Sequence, residues 1–236
     1  MPQQPEVVTL HLWGVARARL PAAVLAMARD RRPLHRQPGL TFGKLLGTGS
    51  GETFAPRDAD LGHWGVLACW TSVDAAAAFE RADLVRRWDR RSHERLRLQL
   101  RPLSSKGRWA GREPFGDPRP EPSDGTVAAL TRARIEPRLW RTFWREVPPV
   151  SAALRTAPGL LLRLGIGEAP VGLQGTFSVW ETAAALNEFA YDRAEHRTVI
   201  ERTHELGWYA EELFARFAVI AVTGTYAGKA VGPPGT

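Results

Sequence analysis

From Pro38 the chain runs through a succession of signals that returns from Pro158, and this internal repeat constrains the fold more than any other feature. Pro38-Gly39-Leu40 opens an apolar run that enters Gly47-Thr48-Gly49-Ser50-Gly51-Glu52, and Pro158-Gly159-Leu160 opens one that enters Gly165-Ile166-Gly167-Glu168. A β-like run ending in tryptophan follows each time, at Trp64–Trp70 and at Gly175–Trp180, then an acidic residue and an alanine-rich helix. The leading strands match as well: Ala16-Arg17-Ala18-Arg19-Leu20-Pro21 against Thr131-Arg132-Ala133-Arg134-Ile135-Glu136-Pro137.

Each half therefore reads as strand, helix, strand, strand, helix, strand, the ferredoxin-like βαββαβ order. Strands are predicted near 6–17, 40–47, 63–71 and 95–103, then near 125–134, 159–167, 173–180 and 215–225. Helices are predicted near 20–31 and 74–93, then near 136–155 and 182–213. The expected class is α+β: two tandem ferredoxin-like halves, 1–104 and 125–236, forming a pseudo-dimeric α+β barrel. Residues 105–124, rich in Gly, Pro and Arg, form a linker long enough to be a functional loop or a strap. The halves supply both partners of such a barrel, so a homodimer is allowed but not required.

Composition narrows the setting. Hydrophobic residues make up 44% of 236, enough for a real core. No uninterrupted apolar run is long enough to cross a bilayer, and Met1–Glu6 lacks the basic-then-apolar order of a secretory signal. One cysteine, Cys69, excludes an internal disulfide, so a cytoplasmic protein is expected, with a peripheral position at the inner membrane left open. The net charge of +7 is almost all arginine, since Lys44, Lys106 and Lys229 are the only lysines. Such a surface suits nucleic acid, anionic lipid or an acidic redox partner. No zinc-finger spacing, RNP aromatics or KH loop is present, so nucleic acid is not the expected partner.

Few residues carry chemistry by spacing alone. Gly47–Gly51 lacks the G-x-G-x-x-G pattern and reads as a hairpin loop, or as backbone that approaches a cofactor. The six histidines show no zinc spacing. Cys69 lies in an apolar stretch and reads as core, with a haem thiolate as the lesser alternative. Asp192 and Glu195 form a capping box, and His196 follows on a helix face shared with Val199, Ile200 and Thr203. His196 is then either a buried histidine bonded to backbone or a ligand on a rigid element above an apolar cavity. Arg17 and Arg132, with Arg19 and Arg134, alternate on the leading strands and face either solvent or an anionic group. The nine tryptophans fill cores or wall a cavity for a large planar ligand.

Taken together, several segments resemble the spheroidene monooxygenase family of haem-dependent carotenoid oxygenases. They are Lys44–Glu52, Arg86-Arg87-Trp88, Arg101–Ser104 with Gly107-Arg108-Trp109, Gly175–Trp180, Phe189-Ala190-Tyr191, His196-Arg197, and Gly207–Phe217. The resemblance runs from about Leu10 to Tyr226. It implies an oxidoreductase with haem b (iron) that inserts oxygen into a lipophilic, carotenoid-type substrate, with electrons from an external donor such as ferredoxin. It also implies His196 as the axial iron ligand. Arg17 and Arg132, from their place on the leading strands, and Trp208, among the tryptophans that would wall a cavity, are the further candidate cofactor contacts. His93, His204 and Cys69 are the competing ligands. A haem-dependent dehydratase or peroxidase on the same scaffold, or a haem-binding protein without turnover, are the alternatives.

Overall fold

The computed structural model describes residues 4–50, 56–119, 123–135, 157–168, 175–192 and 209–232. The first strand, β1 (Val7–Val15), leads through a short 3-10 turn at Arg17–Arg19 into α1 (Leu20–Arg29) and α2 (Arg31–His35). Then come β2 (Leu40–Gly49), β3 (Ala59–Trp70), α3 (Val73–Glu80), α4 (Asp83–Asp89) and β4 (Ser92–Gly107). The remainder comprises β5 (Val127–Ile135), β6 (Leu160–Gly167), β7 (Gly175–Trp180), α5 (Ala183–Asn187), β8 (Tyr209–Tyr226) and β9 (Lys229–Ala230).

The strands run in the order β4-β1-β3-β2-β6-β7-β5-β8, and β4 also pairs with β8, so eight antiparallel strands close into a barrel. Two seams make the closure. One is long, from Leu96 opposite Gly224 to Gly107 opposite Leu213. The other is short, pairing Gly47, Thr48 and Gly49 with Gly167, Ile166 and Gly165. The segment expected as a hairpin loop at 47–49 is therefore the paired end of β2.

Alternation along the strands sends side chains to two layers. Val8, Leu10 and Leu12 of β1 point into the lumen, where they meet Leu96, Leu98 and Leu100 of β4 and the inward residues of the other strands. Trp109 and Phe115, from the segment after β4, enter the same cluster, so the lumen is a packed core rather than a pore. The outward set of β1 and β3 packs under α1–α4. Local contacts recur between the halves. Ser72 Oγ accepts from Ala75 N and Thr182 Oγ1 from Ala185 N, capping the helices after Trp70 and Trp180. The Pro-Gly-Leu turns behave alike, with Gly39 O bonded by Thr71 N and Gly159 O by Glu181 N.

Several boundaries differ from expectation. β1 stops at Val15, so Arg17 and Arg19 sit on the turn before α1 and not on a strand. Pro21 at the start of α1 explains this, because its fixed φ and missing N–H suit a helix start. The helix expected over 74–93 is broken between Glu80 and Asp83, and His93 lies in β4 instead of ending a helix. β8 begins at Tyr209, so no helix reaches 213; α5 ends at Asn187 and passes into one π turn to Asp192. The helix expected at 136–155, and His196 with Trp208, lie outside the described residues.

One end of the barrel is held by charge. His63 on β3 places Nδ1 2.6 Å from Asp60 Oδ2 and Nε2 2.9 Å from Glu94 Oε1 on β4. Glu94 also accepts from Thr225 Oγ1, Ala227 N and Gly228 N, which ties in the β8–β9 hairpin. Burial alone would lower the His63 pKa, but its bonds to the two carboxylates and their charges outweigh it and raise it above 6.5. Asp60 falls below its ordinary value through its bond to His63, and Glu94 falls because its hydrogen bonds overcome burial.

The His63 share of stability is fully present below pH 6.5 and is lost as pH rises through its raised pKa. The carboxylate share is present at neutral pH and is lost only in acid. Urea unfolding from about pH 5.5 to about pH 8.5 should show stability falling toward the alkaline side, and the fall should be absent in His63→Ala. Parallel profiles for the two proteins would exclude the clasp. The long seam gives a second prediction. Gly224 has φ +88°, and a Cβ there would lie 1.9 Å from Arg95 O across the seam. Gly224→Ala should destabilise the barrel by about 2 kcal/mol or more, read as a lower urea midpoint.

Candidate functional site

The outer faces of the sheet are furnished differently in the two halves of the chain. On β1 and β3 the outward positions hold His11, Trp13, Trp64 and Trp70, all wholly or almost wholly buried, and α4 adds Trp88 between them. Trp13 stacks on Trp88 at 5.6 Å, and its indole N–H donates to Asp89 Oδ1. His11 Nδ1 lies 2.8 Å from Arg95 Nη2, while Glu80 bonds both Arg95 and Arg97. Burial first, then the Arg95 and Arg97 charges, drives the His11 pKa well below 6.5, so the ring is neutral. As Arg95 can only donate, Nδ1 is the accepting nitrogen. This layer is filled.

Register identifies the corresponding positions on β5 and β7. Val127 faces Trp180 as Val7 faces Trp70, and Ala129 faces Ser178 as Thr9 faces Ala68. Where His11 faces Val66, Thr131 faces Thr176; where Trp13 faces Arg95, Ala133 faces Glu212. A histidine and a tryptophan are thus replaced by a threonine and an alanine. Among the described residues, apolar packing covers the Trp180 end, through Val127, Leu186 and Ala218, with Phe189 tilted against Trp180 at 5.3 Å. Beyond it, Thr131 is exposed and Phe214 of β8 is 41% exposed. Past the buried Trp180, β5 and β7 thus carry small side chains at Thr131, Ala133 and Thr176, with Arg216 opposite Ala129 and donating to Asn187 Oδ1 at 2.7 Å. Residues 193–208, which include His196 and Trp208, enter β8 at Tyr209, the register partner of Ile135 on β5.

Arg132 takes the opposite direction, into the lumen. Its Nη1 bonds Glu211 Oε1 at 2.7 Å and its Nη2 bonds Glu168 Oε1 at 3.0 Å, and the guanidinium lies over Trp109 at 5.1 Å. Lys44 Nζ reaches Glu168 Oε2 at 2.6 Å, and Trp109 Nε1 donates to Glu168 Oε1. Glu211 also accepts from the backbone N–H of Ala110 and Gly111. Burial would raise both carboxyl pKa values, but the bonds to Lys44 and Trp109, and to Gly111, Ala110 and Arg132, hold them below the ordinary range. Two cations and two anions thereby latch the segment after β4 to the barrel mouth.

Arg17 is exposed on its turn, and nothing brings it beside Arg132. Cys69 lies in the lumen, where burial keeps its thiol protonated. His93 is 60% exposed beside Glu94. Among the described residues no three His, Cys, Asp or Glu side chains converge as metal ligands. Sequence reasoning missed Lys44, Glu168 and Glu211. The signals were present: a lysine in a chain that otherwise uses arginine, and a glutamate closing the second glycine-rich segment. Removing Arg132 takes one cation from two partly buried carboxylates that keep Lys44, Trp109 and the backbone N–H groups of Ala110 and Gly111, so Arg132→Ala should cost about 1–3 kcal/mol in urea unfolding, and Glu168→Gln less.

No family model matches the sequence. Among curated proteins, the spheroidene monooxygenase of Rhodobacter capsulatus is 38% identical over 213 residues, covering 89% of this chain and 88% of that protein. That of Rubrivivax gelatinosus is 33% identical over 223 residues, covering 94% and 82%. Among solved structures, an aldoxime dehydratase superposes with a TM-score of 0.56 at 11% identity, over 90% of this chain and 80% of that one, a likeness of fold. Identity at this level across nearly the whole length of both sequences leaves one assignment: the chain belongs to the spheroidene monooxygenase family.

Proposed function

We propose that this protein is a haem-dependent monooxygenase of a lipophilic, carotenoid-type substrate, with its cofactor seated on the outer face of β5, β7 and β8. The carrying observation is the set of small side chains at Thr131, Ala133 and Thr176, where the corresponding layer under α1–α4 is packed with His11 and tryptophans. A large planar group needs space between sheet and covering chain, with aromatic walls and a few polar groups at its edge. Phe189 supplies an aromatic edge, and Arg216 places positive charge on this face, where a propionate would sit. His196 is the proposed axial ligand and Trp208 a further contact. Bound haem would supply one-electron chemistry for O₂ activation, with electrons from an external donor such as ferredoxin.

The chain's own contribution is placement. The packed lumen makes the sheet a rigid floor for the ligand. Arg132, committed to Glu168 and Glu211, acts in this reading as a positioning residue that stiffens β5. The same reading treats the barrel as two related halves, 1–104 and 125–236, joined by 105–124. Its support is the mirrored strand order, the Val–Trp register pairs and the repeated caps.

Haemin titration followed by absorption tests the seat. His196→Ala should lose the Soret band of the bound form, while His93→Ala and His204→Ala keep it. Ala133→Trp, which copies Trp13 to its matching position, should weaken haemin uptake about tenfold or more while the far-ultraviolet circular dichroism is unchanged. Wild-type uptake in Ala133→Trp would place the seat elsewhere. The reaction is tested with ¹⁸O₂, a carotenoid, ferredoxin and its reductase, and label should enter the product. Conversion of an aldoxime to a nitrile without O₂, and no label in carotenoid, would replace the oxygenase reading with the dehydratase one.

A further inference from the structure

The first half of the chain presents a surface for which the fold itself has no use. Between Arg17 and Arg36 there are six arginines, and the single acid, Asp30, is completely buried. Asp30 is already shared by Arg29 and Arg87. Arg19 reaches across to the backbone carbonyl of Arg90, and Arg91 lies in the field of Arg29, Arg87 and Arg90. Arg29 of α1, Arg87 of α4 and the neighbouring Arg90 and Arg91 are therefore one contiguous patch, with Arg19 reaching to its edge. Arg31, Arg32 and Arg36 are exposed beside it on and after α2.

In the middle of this charge stands apolar surface. Leu25 is 72% exposed, more than any other large apolar side chain among the described residues, and Val24 is 40% exposed. Leu25 and Arg29 are four apart on α1 and share a face, and Ala23, Ala26 and Met27 hold the opposite face in the core. An exposed leucine ridge flanked by arginines on a surface helix is the arrangement of a helix that lies in a lipid headgroup layer. No described helix is long and apolar enough to cross a membrane.

We infer that α1 and α2 form the face by which this protein rests on an anionic bilayer, with Leu25 and Val24 entering the acyl boundary and the surrounding arginines meeting lipid phosphates. The geometry stands apart from the catalytic reading; only its purpose, access to a membrane-borne substrate, rests on that reading. An acidic protein would also be drawn by the charge, but would not need an apolar residue projecting from a convex helix.

The test is sedimentation with vesicles of phosphatidylglycerol and phosphatidylcholine, and of phosphatidylcholine alone, at low and high salt. Wild-type protein should bind the anionic vesicles and be released by salt. Leu25→Glu should weaken that binding about tenfold or more, and Arg31→Gln/Arg32→Gln/Arg36→Gln should weaken it about fivefold per arginine removed, with both variants melting like the wild type. Equal weak binding to both vesicle types overturns the inference. So does wild-type binding by Leu25→Glu, or an acidic ferredoxin that loses affinity for the triple variant when vesicles never bound. Turnover of carotenoid in detergent micelles separates the two readings. It should be unchanged in both variants, and vesicle binding by a wild type without oxygenase activity supports the membrane face while the catalytic reading falls.

Discussion

The pairing of β4 with β8 is the contact on which the rest of the structure depends. It runs from Leu96 to Gly107, whereas the other seam has three residue pairs between glycine-rich strand ends. Without it, β4 and β8 would each expose a long row of unpaired backbone groups, and the lumen core would be open to water. Closure removes the edges and fixes which side chains face inward on every strand at once, because alternation cannot slip without inverting a whole face. The glycines at its two ends are part of that geometry. Gly107 has φ +98°, and a Cβ there would lie 2.2 Å from Glu212 O, while Gly224 meets Arg95 O in the same way.

A closed, filled barrel has only its outer faces left for function, and the two are not alike. Under α1–α4 the layer is completed by stacked indoles and by buried His11 with the partly buried Glu80, Arg95 and Arg97. On β5 and β7 the positions matching His11, Trp13 and Val66 hold Thr131, Ala133 and Thr176. The indole layer is thus found on one face of the scaffold and is not repeated at the matching positions of the other. The barrel mouth adds a third element. The Lys44–Glu168–Arg132–Glu211 set holds Trp109 in place, so the connection between the halves of the sequence is anchored to residues of both.

Much of the strand pattern was legible because its signals are local. β2, β6 and β7 begin or end within about two residues of expectation, marked by Pro-Gly-Leu turns and terminal tryptophans. The failures were at helix ends. A run of alanine and arginine from 74 to 93 has no breaker strong enough to show the interruption between α3 and α4, and the strand character of Tyr209–Phe214 comes from pairing with β5 and the segment after β4. Of the site, Arg132 was visible as an unusual residue on a leading strand, but its partners were not. Glu168 and Glu211 lie far away in sequence and meet it only because β5, β6 and β8 converge at one mouth of the barrel.

The sequence by itself determined that the chain repeats a strand–helix signature, that it bears a large arginine excess, and which family it resembles. Repetition, composition and motif are properties of order along the chain. Only the tertiary structure decided that the glycine-rich segments are seams, that Arg132 turns inward to two carboxylates, and that Thr131 and Ala133 occupy the positions that match His11 and Trp13. Each of those depends on which face of a strand a residue occupies and which strand lies beside it. Both are set by the closure of the barrel, an interaction between residues more than a hundred positions apart.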